Sequence, residues 1–203
     1  MSVIEVLAVL YGSVMKIDPK NPDWEDRDRL VMSKGHAGPA LYATLALKGY
    51  FPLEQLKTLN KPGTNLPSHA DMHRTIGVDM TTGSLGQGFS TAIGLAMAAR
   101  ALRKTWRTFV IVGDGECNEG QVWEGARFAS HQKLDNIICF VDWNKKQLDG
   151  CLDKISGGGN LAKRFEAFGW YVQQINGHDI EAIINAVENA AQASGMPSCI
   201  VLD

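Results

Sequence analysis

Two short apolar runs, each stopped abruptly by polar residues, constrain this chain most. Phe109-Val110-Ile111-Val112 leads straight into Gly113-Asp114-Gly115, and the run from Asn136 to Val141 ends in Asp142-Trp143-Asn144. Runs this short and this continuously apolar predict strands buried on both faces, as in a parallel sheet. Ligands of such sheets gather outside the carboxyl ends of the strands. An acid just past one strand and an amide just past the next can therefore meet at one edge. A carboxylate and an amide carbonyl are hard oxygen donors suited to Mg²⁺ or Ca²⁺, and Mg²⁺ takes its remaining ligands from phosphates and water. Glycines on both sides of Asp114 let main-chain N–H groups approach a phosphate. The spacing points to a metal–diphosphate site, although Gly-Asp-Gly alone is also ordinary turn chemistry.

The rest of the chain supports a layered fold. Val3, Ile4, Val6, Leu7, Val9, Leu10 and Val14 mark a helical apolar face, broken by Asp18-Pro19-Lys20-Asn21-Pro22. Leu30-Val31-Met32 reads as a short strand, Ser33 to His36 as a loop and Pro39 to Lys48 as a helix with proline in its first turn. Leu53 to Leu59 is a short helix, and Asn60 to Asp79 a long loop of the kind that is usually functional or disordered. Gly83 to Gly88 opens a helix running to about Arg103, whose small apolar residues predict burial nearly all round. A helix starts near Gln121. Gly157-Gly158-Gly159 is a flexible connector, Leu161 to Phe168 a short helix and Tyr171 to Ile175 a strand. Asp179 N-caps a helix to about Ala193, and Ser198 to Leu202 is the last strand. Strands alternating with helices predict an α/β fold, a parallel β-sheet flanked by helices.

The 203 residues suit one domain, and the 45% hydrophobic content excludes a disordered chain. A net charge of −2 gives no footprint for nucleic acid or an anionic membrane surface. No run of eighteen apolar residues occurs, and the amino terminus lacks a signal-peptide pattern. Cys117, Cys139, Cys151 and Cys199 form no C-x-x-C pair. They read as reduced thiols of a cytoplasmic protein and not as a zinc site or disulfide framework.

Gly113-Asp114-Gly115 followed by Asn144 resembles the thiamine-diphosphate fingerprint of transketolase-type enzymes. Asp28 to His36, Thr81 to Gly88, Gly113 to Gly120, Gln147 to Gly150 and Phe165 to Asp179 are similar, in the same order, to the amino-terminal domain of transketolase. The resemblance implies a thiamine-diphosphate-binding fold. It implies that Asp114 and Asn144 coordinate Mg²⁺ (or Ca²⁺), with the Lys146 carbonyl as a third ligand. It places Thr82, Gly83, Leu85 and Gly86 along the cofactor rings, with Leu85 offering main-chain polar groups to the pyrimidine. Gly113, Gly115 and Glu116 belong to the cofactor-binding set. His36 is expected at the diphosphate and reacting centre, and His69, fourteen residues before Gly83, near the thiazolium. Glu119 and Glu124 resemble family glutamates that link two active sites across a dimer. The implied reaction moves a two-carbon ketol unit between sugar phosphates, as in the pentose phosphate pathway.

Against the family pattern, residues 1–203 read as a single diphosphate-binding domain shortened at both ends, with the pyrimidine-binding domain absent. The expected partner is a carboxy-terminal transketolase subunit carrying that domain, in a homodimer or heterotetramer. Two rival readings stay open: another thiamine-dependent enzyme, such as deoxyxylulose-phosphate synthase or a ketoacid dehydrogenase component, and a module that keeps the fold without the chemistry.

Overall fold

The structure is a computed structural model that describes residues 2–157 and 159–203. Its centre is a five-stranded, wholly parallel sheet of order β1-β2-β3-β7-β6. The strands are β1 (Arg29–Met32), β2 (Thr108–Gly113), β3 (Ile137–Asp142), β6 (Tyr171–Ile175) and β7 (Ser198–Leu202). A two-residue antiparallel ribbon, β4 (Lys146–Gln147) with β5 (Gly150–Cys151), follows β3. The helices are α1 (Ile4–Val9), α2 (Gly38–Lys48), α3 (Gln87–Ala101), α4 (Gly120–His131), the one-turn α5 (Leu152–Ile155), α6 (Leu161–Ala167) and α7 (Ile180–Gln192).

Chain direction explains which helix lies on which face. The path β1 to β2 to β3 to β6 moves one way across the sheet, and β6 to β7 moves back. Right-handed crossovers put helices from opposite moves on opposite faces. Accordingly α3, α4 and α6 share one core with Val31, Val110, Val112, Cys139 and Val201. On the other side α1, α2 and α7 pack with Met32, Phe109, Ile111, Phe140 and Ile200. Alternate residues of each central strand thus feed opposite cores, which is why β2 and β3 are apolar throughout.

Two elements differ from the sequence expectation. The first helix changes after Val9 into a π-helical turn, Leu10–Val14. The small-residue helix α3 begins at Gln87 and is buried on one face only: Ala92, Ala96 and Ala99 are buried, whereas Ser90, Gly94 and Arg100 are exposed. Its small side chains leave a shallow groove against α4, lined by Ile93, Met97, Gly125 and Phe128. The glycine connector is described at Gly157 and Gly159; Gly158 lies outside the described residues.

The long loop before α3 is held at several points. Tyr42 Oη donates to the Pro67 and His69 carbonyls at 2.9 and 3.0 Å. Thr82 Oγ1 donates to the Met32 carbonyl at 2.8 Å. Asp79, nearly fully buried, accepts from the Leu30 N–H at 2.8 Å and pairs with Arg27 at 2.5 Å. Loops carry function when a rigid scaffold positions them, and these bonds fix residues 66–86 against the carboxyl end of β1.

Candidate functional site

The tips of β1, β2 and β3 carry most of the chain's buried charge. Gly113 stands opposite Asp142 in the ladder, so Asp114 and Trp143 are the first residues beyond the sheet. Asp114 is 2% exposed. Its Oδ1 accepts from the Gly115 N–H at 2.7 Å and its Oδ2 from the Lys145 N–H at 2.6 Å. The second bond draws the Asn144–Lys145 peptide against the carboxylate, so the two sequence-predicted metal ligands are neighbours. The Asn144 Oδ1 accepts from the Lys146 N–H at 2.9 Å, and its Nδ2 leans toward Asp142 Oδ2 at 3.4 Å. The Asn144 amide is therefore oriented by its own turn and by Asp142.

Asp142 is the polar hub beneath this turn. Its Oδ2 accepts from Ser2 Oγ at 2.6 Å and pairs with the buried Lys34 ammonium. Lys34 and Asp142 are 5% and 1% exposed. Removing one partner of a buried pair leaves an uncompensated charge, so each depends on the other. Neither stands out in sequence. Lys34 lies in a loop that reads as surface, and its partner is 108 residues away; only a strand-end acid opposite Gly113 hints at it.

Glu116 differs from its expected place against the cofactor. Its carboxylate is turned into the protein: Oε1 takes the Ser33 hydroxyl and the Gly86 N–H (2.8 Å), and Oε2 takes the Gly113 N–H at 3.1 Å. Three segments thus converge on one side chain. Leu85 likewise has its carbonyl engaged, by Gln121 Nε2 at 3.0 Å. Gln121 carries no signal in sequence, where it reads as an exposed residue of a helix start.

The histidines come together at the rim. A Cβ on Gly35 would lie 2.9 Å from Gly83 Cα and 3.0 Å from His69 Cδ2, so these segments touch only because residue 35 is glycine. Gly83 also lies against the His69 ring. His36 follows Gly35, and its pKa lies below the usual imidazole value through partial burial, the Lys34 charge and His69. A neutral imidazole at neutral pH can accept a proton. Glu119 and Glu124 are not part of this cluster. Both are exposed; Glu119 N-caps α4, and Glu124 borders the groove between α3 and α4.

Burial pushes the Asp114 carboxyl upward, with nearby Asp142 adding to this; the Gly115 and Lys145 N–H groups and Lys34 oppose it. Burial also raises Glu116, against the three donors that favour its anion. Three buried carboxylates, Asp114, Glu116 and Asp142, thus face one buried ammonium, Lys34. Among the described residues Asp114 has no cationic side chain in contact, and buried charges are normally paired or bound to metal. No cluster of three or more His, Cys, Asp or Glu is set to hold a metal among the described residues. The donor set that fits one is a carboxylate, an amide and a main-chain carbonyl, all hard oxygens.

Comparison with known proteins agrees with this geometry. The family described as "Transketolase, thiamine diphosphate binding domain" matches residues 1–203. The 6-deoxy-6-sulfo-D-fructose transketolase subunit SqwG of Clostridium sp. (strain MSTE9) is 57% identical over 203 residues, covering 100% of this chain and 74% of that protein. One of the two kinds of apulose-4-phosphate transketolase chain, from Phocaeicola vulgatus, is 36% identical, covering 99% of this chain and 71% of that protein. A solved transketolase from Leishmania mexicana superposes with a TM-score of 0.92 at 34% identity, covering 97% of this chain and 31% of that one. The chain thus spans about a third of the length of the solved transketolase it matches.

Proposed function

Because the chain belongs to the transketolase family, matching its thiamine-diphosphate-binding domain, we propose that it is the amino-terminal subunit of a transketolase assembled with a separate carboxy-terminal chain. Its relatives named as transketolase subunits support this reading. The partner carries the pyrimidine-binding domain, and the assembly is a homodimer or heterotetramer in the cytoplasm. Among the described residues no helix is long and apolar enough to cross a membrane. The substrates are a ketose and an aldose bearing phosphate or a comparable anionic group.

The observation that carries the reading is Asp114, a nearly fully buried carboxylate without a cationic partner among the described residues, beside an oriented Asn144. In this reading Asp114, Asn144 and the Lys146 carbonyl hold Mg²⁺ (or Ca²⁺), and the Gly113-Asp114-Gly115 backbone lies against the diphosphate. When bound, thiamine diphosphate supplies the carbanion chemistry that breaks and remakes the bond beside a ketose carbonyl. Thr82, Gly83 and Leu85 support its rings. His36 and His69, at the open rim, hold and move protons at the sugar oxygens. Glu119 and Glu124 face the second copy of the assembly.

Thermal unfolding tests this. Mg²⁺ with thiamine diphosphate is expected to raise the Tm by ligand linkage, each alone to do much less, and Asp114→Ala to abolish the shift. No shift in the unmodified chain, with or without its partner, overturns the reading.

A further inference from the structure

The peptide joining Leu85 to Gly86 is gripped at both polar atoms. Its C=O accepts from Gln121 Nε2 at 3.0 Å, and its N–H donates to Glu116 Oε1 at 2.8 Å. The two holders come from different elements: Glu116 sits in the turn after β2, and Gln121 in the first turn of α4. Gly86 has φ +81°, a left-handed conformation that glycine adopts without strain, and a Cβ there would lie 2.8 Å from Gln121 Cγ. Gln121 therefore packs directly on the peptide it binds. Glu116 is held in turn by Ser33 at the tip of β1 and by the Gly113 N–H at the tip of β2. The peptide plane is thereby referenced to both strand tips and to α4.

We propose that Glu116 and Gln121 are positioning residues, a clamp that fixes the Leu85–Gly86 peptide and so sets the surface this chain offers to the organic rings of the cofactor. The inference rests on the thiamine-diphosphate reading. With both polar atoms of that peptide consumed, the loop presents the Leu85 side chain and the Leu85 N–H, which has no acceptor among the described residues. The clamp thus makes the loop a donor toward the ring. A peptide free to rotate would offer a carbonyl there instead. The diphosphate end, built on Asp114 and Asn144, does not use this peptide.

The test separates the two ends of the ligand. In the full chain with Mg²⁺, thiamine diphosphate and inorganic pyrophosphate are titrated calorimetrically into the unmodified protein, Gln121→Met and Glu116→Gln. Methionine keeps the packing of Gln121 and removes its donor. Loss of one such bond is expected to weaken thiamine diphosphate roughly tenfold and leave pyrophosphate unchanged. Equal weakening of both probes, or of neither, overturns the proposal. Amide hydrogen exchange without ligand supplies the second reading. Residues 82–88 should exchange faster in both variants, with the strands unaffected; unchanged protection there overturns the clamp. If the unmodified chain binds pyrophosphate and not thiamine diphosphate, the cofactor reading falls and the ring-directed role with it, while exchange still decides whether the clamp exists.

Discussion

The strand-tip cradle and the α3–α4 face are built from neighbouring segments, yet they are finished to very different degrees. In the cradle, Lys34, Asp114, Glu116 and Asp142 are all buried, and each has bonds to protein groups. On the α3–α4 face, Glu119, Glu124 and Phe128 are exposed, and the groove beside them has glycines at its floor and no side chain filling it. Desolvating a charge is costly without a partner, so the cradle can persist only because its bonds form within this chain. The other face asks nothing of this chain alone. The contrast separates what one chain can bind from what needs a second surface.

The largest expected effect lies in the cradle. Lys34→Ala should cost about 3–5 kcal/mol in denaturant unfolding, because it strands Asp142 without its partner. A cost below about 1 kcal/mol, the level of an ordinary point substitution, would show the cradle to be as loose as the exposed face. Next comes Asp114→Ala. It should remove the whole ligand-linked stabilisation, about 2.7 kcal/mol at a hundredfold excess over Kd, while leaving the ligand-free chain as stable as before or slightly more so. Differential scanning calorimetry with and without Mg²⁺ and cofactor reads both quantities.

A smaller effect is the pH response of the same carboxyl. Burial raises the folded-state pKa of Asp114 above its ordinary 3.8. The folded chain without metal therefore holds this proton more tightly than the unfolded one. Its contribution favours folding below 3.8 and is lost as pH rises through the raised value. Metal needs the anion, so cofactor affinity should run the other way, falling as pH drops through that same window. The difference between the unmodified chain and Asp114→Asn isolates both slopes, and parallel slopes would contradict the assignment. The smallest effect belongs to the open face. Glu124→Gln should shift stability by no more than about 0.5 kcal/mol and leave cofactor affinity unchanged, with any loss confined to turnover in the assembled enzyme.

What is legible in the sequence follows the same division. β2 and β3 are readable because burial on both faces leaves unbroken apolar runs, and Asp114 and Asn144 because the strand ends place them at one edge. The helix cap at Asp179 is also readable, and its Oδ1 accepts from the Ala182 N–H at 3.1 Å. Side-chain direction is not. Glu116 reads as a cofactor ligand and instead turns inward to three protein donors, since spacing does not say which way a carboxylate points. Lys34, Asp142 and Gln121 escape a sequence reading because their partners are distant along the chain. The small residues of α3 suggest burial all round; they mark instead a helix whose second face is left for something else.

The most direct measurement is an anomalous-difference map from crystals of the chain grown with Mn²⁺ in place of Mg²⁺ and with thiamine diphosphate. One strong peak is expected at roughly 2.0–2.3 Å, a typical distance for oxygen ligands of such a cation, from an Asp114 carboxylate oxygen, Asn144 Oδ1 and the Lys146 carbonyl, bridging to the diphosphate. A map with no peak there, or with the metal bound away from the tips of β2 and β3, would contradict it.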